Sequence, residues 1–308
     1  MVINYIKNLE LDDKITEIKN TNKNELFPEA SVILVAYNTN KNLLFQNLES
    51  LKKQFSKNYE IIIVDNSDNR DIKPILLGYK LKYIKLNKNY GPSLARNIGI
   101  KYAIGNIVIF LDDDAIPAHN FVAEHIRAHK KYDIFGLRGK SLPRTPIIYN
   151  YLESHYDYGN KTIPCFINLE GNSSFKRDVL VEIGGFNTKL HLAGGHEGLE
   201  LTYRIISKYK DKSKLIYYPN AVIYHDYSPN FIKYLKKALR HNKYKDVIEG
   251  QFTDILKITE GYKLSPKKLK KDSPSLFFKV KMIMIPKLVS FILRAQKLLN
   301  ILYYKGKR

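Results

Sequence analysis

The chain has 308 residues, of which 44% are hydrophobic, enough to bury a sizeable core and to exclude an intrinsically disordered protein. Its single cysteine, Cys165, excludes an internal disulfide framework, and residues 1–19 hold no apolar run long enough for a signal peptide or a membrane span, so a cytoplasmic protein is expected. Of the formal charge of +21, +15 lies on residues 229–308, so the basicity belongs to the C-terminal region and not to the body of the chain.

Runs rich in β-branched residues at 31–37 (SVILVAY), 60–64 (EIIIV), 82–86 (KYIKL) and 107–111 (IVIFL) predict strands. The first interval carries Leu44, Leu48, Leu51 and Phe55 on one helical face. The third carries Ala95, Ile98 and Tyr102 between Gly-Pro-Ser at 91–93 and Gly105. Strands alternating with such helices imply βα units and a largely parallel sheet. Beyond residue 114 the pattern predicts a helix over 120–131, a strand at 134–137 and an extended segment at 166–169. A short helix before Gly184 and Gly185, a helix opening near Glu197, and strands at 215–218 and 221–224 follow. Ser228 and Pro229 suit the N-cap and first position of an amphipathic helix carried by Ile232, Leu235 and Leu239, and residues 265–275 read as a linker. The expected organisation is one domain over 1–228, in two halves at about 30–117 and about 118–228. A basic, mostly helical region over 229–308 completes it.

The chemistry concentrates at Asp112, Asp113 and Asp114, directly after the fourth apolar strand, at the strand ends where α/β sheets bind ligands. Adjacent carboxylates repel one another unless a cation offsets the repulsion, and a hard divalent ion is the simplest such partner. The alternative is a solvated acidic turn.

An ordered set of motifs extends the argument: SVILVAYN, IIIVDNSD, NYGPSLARNIGI, FLDDDAIP, GNSSFKRDVLVEIGGF, GGHEGLELTYRI and YHDY. Together, from about Ala30 to Tyr227, they resemble the family 2 glycosyltransferases. The resemblance implies an α/β fold of the GT-A kind, Rossmann-like with a mostly parallel central sheet flanked by helices, here with a basic helical C-terminal extension. It implicates Ala36, Tyr37 and Asn38 in holding base and ribose, Tyr37 being otherwise a packing residue. Asp65 would accept a hydrogen bond from the base, which favours uridine, or would cap the turn at 66–68. Arg96 would grip phosphate or stack on a ring, or is an exposed helix residue.

By the same correspondence Asp112 meets the ribose, Asp113 lies near the nucleotide, and Asp114 holds Mn2+ or Mg2+ across the diphosphate. His225 is a further ligand, which would tilt the choice toward Mn2+, or a structural histidine. Glu197 is the expected catalytic base, with Gly194 and Gly195 letting the backbone approach the sugar. Many relatives carry Glu-Asp here and use the second acid, whereas this chain has Gly198; Glu200 pairs with Arg204 on the plain reading. A similar Gly-Gly-Glu pattern occurs in galactose- and N-acetylgalactosamine-transferring families, some of them retaining. Asn172 would bond a sugar hydroxyl or cap the next turn. His119, His125, His129 and His155 show no metal-ligand spacing.

Lys233, Lys236, Lys237, Arg240, Lys243 and Lys245 share one amphipathic helix, and residues 276–308 mix apolar groups with spaced cations, too interrupted to span a bilayer. Such helices lie on an anionic membrane surface or pack on the catalytic domain with a solvated basic face. No nucleic-acid partner is expected, because no reading motif accompanies the charge. The function expected is metal-dependent, inverting transfer of a sugar from a nucleotide diphosphate donor, a UDP-sugar, to a hydroxyl of a glycan or lipid-linked acceptor, peripheral to the inner face of the cell membrane. The alternatives are a nucleotide-sugar-binding protein that has lost catalysis, and a basic membrane or nucleic-acid adaptor.

Overall fold

The computed structural model describes residues 11–21, 27–68, 71–152, 156–190, 196–252, 254–255 and 276–305; the linker at 265–275, Gly194, Gly195 and His155 lie outside the described residues. Its first strand, β1 (Ile15–Asn20), is an antiparallel edge that the sequence reading missed. The spine follows as β2 (Ala30–Ala36), β3 (Tyr59–Asp65), β4 (Lys82–Leu86) and β5 (Ile107–Asp112), all parallel in the order β4-β3-β2-β5. These strands are apolar along almost their whole length because both faces are covered. Below one face lies α1 (Lys41–Lys52), whose Leu44, Leu48 and Leu51 are fully buried; the other is covered by α3 (Gly91–Tyr102) through Ala95, Ile98 and Ile100. A short helix, α2 (Lys73–Leu76), lies between β3 and β4.

Asn40 starts α1 where the helix needs an acceptor, its side chain taking the N–H groups of Asn42 and Leu43. Phe55 is not on that face: it lies past the helix end, 71% exposed, with its ring edge-on to His119. Gly105 lets the end of the α3 connection meet β2, since a Cβ there would lie 2.5 Å from the carbonyl carbon of Ala30.

The second half of the sheet is mixed. After β6 (Ile116–Pro117) and α4 (Phe121–Lys131) come β7 (Gly136–Leu142), α5 (Ile148–Tyr151), β8 (Ile163–Pro164) and β9 (Asn172–Lys176). The last of these inserts antiparallel between β5 and β7. Then α6 (Arg177–Ile183) and α7 (Glu197–Tyr209) lead to β10 (Leu215–Tyr224), parallel to β7 and flanked antiparallel by β6 and β8. The two strands predicted at 215–224 are this one strand, with a register shift between Tyr217 and Val222 around Pro219. The extended segment expected at 166–169 is a loop, apolar because Phe166, Ile167 and Leu169 are buried in it.

The basic region folds as α8 (Phe231–Gln251) and α9 (Leu276–Lys305). Asn230 and not Ser228 caps α8, accepting the N–H of Lys233 at 3.0 Å. Ile285, Val289 and Leu293 turn α9 onto Tyr234, Leu235 and Tyr149, so these helices pack on the body of the protein. On the opposite side of α9, Val280, Ile283, Met284, Leu288 and Phe291 are exposed. Among the described residues, no helix is long and apolar enough to cross a membrane.

Candidate active site

The C-terminal ends of β2, β3 and β5 open into a cleft of about 620 Å³, walled by Tyr37, Asn66, Tyr90, Arg96, Asp112 and Glu170. Its position follows from strand polarity, since the parallel spine brings all three strand ends to one edge. Tyr37 is 48% exposed at the rim, so its ring is not core packing. Asn38 beside it takes the left-handed conformation at φ 51°, which Asn tolerates better than most side chains. Ala36 is fully buried, and its carbonyl accepts the N–H of Asn66 at 2.9 Å. Arg96 lies over Phe186, 5.3 Å from the ring centroid, at the opposite wall.

Asp65 stands apart from the cleft and corrects the expectation of a base contact. It is 1% exposed; its carboxylate accepts from the Tyr83 hydroxyl at 2.8 Å and from the Ser67 N–H at 3.0 Å, and pairs with Lys85 at 3.2 Å. The residue on the wall at this strand end is Asn66. Its amide donates to Asn89 at 2.9 Å and its carbonyl oxygen accepts from the Tyr90 N–H at 2.8 Å, tying β3 to the loop before α3.

The acidic run divides. Asn47 of α1 shapes its turn by donating to the carbonyls of Asp112 and Ala115. Asp113 turns toward β2, where the Thr39 hydroxyl donates to it; burial pushes its carboxyl up to about 7, with the charge of Asp114 adding to the shift. Asp112 and Asp114 converge with His225, which follows β10: one ligand atom from each lies within 4.8 Å of the others, and His225 Nε2 is 3.2 Å from Asp114 Oδ1. Burial raises the carboxyl of Asp112, and the charge of Asp114 adds to that against the opposing pull of His225 and Arg96. For Asp114 burial also pushes upward, but the hydrogen bond and charge of His225 outweigh it and hold the carboxyl below its ordinary range. The same pair raises His225 above the usual imidazole value against the desolvation that would lower it. Asp112, Asp114 and His225 thus face one another as the ligands of a divalent ion would. Two carboxylates and an imidazole suit such an ion, Mn2+ better than Mg2+ because of the nitrogen donor. Behind them, Gly171 presses on Asp112: a Cβ there would fall 1.9 Å from Asp112 Oδ2.

The mouth of α7 meets the cleft wall through Glu170, which accepts the Gly198 N–H. Glu197 sits in the first turn of the helix, 4% exposed, outside the residues that line the cleft. Glu200 is fully buried and takes two hydrogen bonds from Arg204, at 2.7 and 2.8 Å. The guanidinium also donates to the carbonyls of Ile183 and Gly185, bracing α7 against the turn after α6. Asn172 is the second correction: fully buried, it donates to the carbonyls of Lys140 and Ala221 and its oxygen faces His125 Nε2 at 3.2 Å, so it cross-braces β9 and reaches no sugar site. His125 and His129 each lie 2.9 Å from the Ser174 hydroxyl, and burial pushes both down to about 3, so they are neutral structural groups.

Comparison with known proteins settles the family. Residues 31–184, half of the chain, match the model of glycosyl transferase family 2. The chain belongs to this family. It is 32% identical over 136 residues to an uncharacterized glycosyltransferase of Rickettsia conorii, RC0461, covering 38% of this chain and 22% of that protein. With the uncharacterized glycosyltransferase YwdF of Bacillus subtilis it shares 30% identity over 171 residues, 52% of this chain and 63% of the relative. The chain thus spans about a fifth of the length of the Rickettsia relative. Among solved structures, the mannosyltransferase PcManGT of Pyrobaculum calidifontis, in complex with GDP-Man and Mn2+, superposes with a TM-score of 0.55 at 17% identity, covering 93% of this chain and 84% of its own. GalNAc-T7 with UDP, GalNAc and Mn2+ gives 0.54 at 19% identity, over 80% and 60%. Likeness at that identity shows the GT-A fold.

Two groups of this glycosyltransferase escaped the sequence reading. Glu170 lines the cleft and its carboxylate accepts the N–H of Gly198, yet only the loop geometry before β9 puts it there. Lys237 of α8 donates to the carbonyl of Tyr227, lies 4.2 Å from that ring's centroid, and its charge bears on Asp114 and His225. In the sequence it is one lysine among several on a basic helix.

Proposed function

We propose that this glycosyltransferase takes a sugar from a nucleoside diphosphate sugar, with uridine as the base, and transfers it with inversion to a hydroxyl of a glycan or lipid-linked acceptor. The observation that carries the reading is the convergence of Asp112, Asp114 and His225 at the rim of a cleft formed by strand ends. Support comes from the related folds, one holding GDP-Man with Mn2+ and the other UDP with GalNAc and Mn2+. Asp112, Asp114 and His225 would hold the ion, Tyr37 and Asn66 would border the nucleoside, and Arg96 would face the phosphates. When bound, the ion supplies Lewis-acid neutralisation of the departing diphosphate. An acceptor hydroxyl that attacks opposite the leaving group would give inversion.

A thermal-shift series with UDP-glucose, UDP-galactose, their N-acetylamino counterparts and GDP-mannose, each with and without Mn2+, tests the donor. Stabilisation that needs both ligands and vanishes in Asp114→Ala is expected, because a ligand of the native state raises its melting temperature. Intact protein that no sugar nucleotide stabilises in the presence of Mn2+ would sink the reading. Release of UDP separates an enzyme from a protein that only binds donor.

The same proposal places the protein on the inner face of the membrane. Val280, Ile283, Met284, Leu288 and Phe291 form an exposed apolar face on α9, joined by exposed Lys287 and Arg294, which suits a surface of anionic lipid. Co-sedimentation with vesicles of phosphatidylcholine and phosphatidylglycerol should fall sharply in Phe291→Asp. Equal binding by that variant, or tighter binding to RNA than to the vesicles, would refute the placement.

A further inference from the structure

Transfer to a hydroxyl needs a group that takes the hydroxyl's proton as the new bond forms, and this inference rests on the transferase reading above. At the mouth of α7 the acids differ in access. Glu197 is 4% exposed and is not among the described residues that line the cleft, Glu200 is fully buried under Arg204, and position 198 is a glycine. Glu170 does line the cleft and is half-buried. Its neighbour Gly171 is the residue against which the Asp112 carboxylate presses, so Glu170 adjoins the contact made by one of the three candidate ligands.

The geometry also explains Gly198. A Cβ at that position would lie 2.6 Å from Glu170 Oε1 and 2.8 Å from the carbonyl oxygen of Ile167. The Glu170 carboxylate therefore occupies the space that a side chain at 198 would fill. It is held there by the Gly198 N–H, in the first turn of a 13-residue helix.

We propose that Glu170 is the proton acceptor of this enzyme, supplying from the loop before β9 the carboxylate that position 198 lacks. With one oxygen fixed by the Gly198 N–H, the other takes the proton of the acceptor hydroxyl. The acceptor oxygen bonds to the anomeric carbon while the bond from that carbon to the diphosphate oxygen breaks, its electron pair leaving with the diphosphate.

Glu170→Gln tests this, since the amide oxygen can still accept from Gly198. UDP release from the most stabilising UDP-sugar, with water as acceptor, would be followed in the wild type, Glu170→Gln and Glu197→Gln, alongside the affinity for UDP with Mn2+ and the melting temperature. The expected result is a loss in Glu170→Gln of about 100-fold or more in turnover, with UDP affinity and melting temperature kept near those of the wild type. Turnover within threefold of the wild type would overturn the assignment. So would a parallel collapse of UDP affinity, which would make Glu170 a donor-binding group, or a 100-fold loss confined to Glu197→Gln. A wild type that neither binds UDP with Mn2+ nor releases it from any donor would remove the transferase reading, and this assignment with it.

Discussion

Gly171→Ala isolates the contact between β5 and the loop before β9. The added methyl would sit 1.9 Å from Asp112 Oδ2 and 2.1 Å from its carboxyl carbon, where non-bonded atoms settle at roughly 3.5 Å. One of the two must therefore retreat by about 1.5 Å. The loop is anchored by the Asn172 amide at two backbone carbonyls, so the Asp112 side chain is the part that turns. That motion takes an oxygen away from Asp114 and His225. Losing one charged contact of this kind costs about 1.5–3 kcal/mol, or roughly a 10- to 150-fold weaker affinity for the nucleotide with its metal. Calorimetric titration of UDP into protein with Mn2+ measures it, and denaturant unfolding checks that the fold is retained. The variant combined with Asp112→Ala should lose little more than Asp112→Ala alone, because both remove the same contact. Affinity within twofold of the wild type in Gly171→Ala would refute the reasoning.

Asp113→Asn should leave Mn2+-dependent UDP binding within about threefold and Asp114→Asn should weaken it by tenfold or more, since only Asp114 stands with Asp112 and His225; equal losses in the same titration would contradict the division of the run. Chelation by EDTA should abolish the UDP-induced rise in melting temperature while leaving the ligand-free transition in place. His125 and His129, pushed down to about 3 by burial from an ordinary 6.5, are neutral in the fold but become protonated in the unfolded chain below that ordinary value. Their contribution is intact above about pH 6.5 and is lost as pH falls toward 3, each by roughly 1.4 kcal/mol per unit; urea unfolding between pH 7 and 5 should show the slope, and His129→Gln should reduce it. Glu200→Gln, which strips the buried partner from Arg204, should cost about 2–4 kcal/mol in urea unfolding and leave the UDP affinity of the folded protein near normal.

The parallel spine is legible in the sequence because β2, β3, β4 and β5 are covered on both faces, so their apolar runs are continuous and helices of clear period separate them. By contrast β1 is a mostly polar edge strand, defined by its pairing with β4 and not by its own pattern. Pro219 and Asn220 read as a break although β10 continues through them, its irregularity absorbed in the register with β7. The acidic run announced a site, but its division does not follow from adjacency: Thr39 draws off Asp113, and His225 arrives from the end of β10, more than a hundred residues on. Asp65 misled because its fate depends on Tyr83 and Lys85 of the neighbouring strand. Glu170 carries no motif of its own, and only the fit of its side chain over Gly198 distinguishes it.

The course of α8 changes what the C-terminal region is. Its Lys237 rests on Tyr227, two residues beyond His225, while Tyr227 and Tyr234 seal against the helix that follows. Severing the polypeptide after residue 228 would not detach an accessory. It would strip a cation from the corner where Asp112, Asp114 and His225 meet and lay bare the aromatic seam behind it, so the candidate site and the exposed face of α9 share one piece of scaffold.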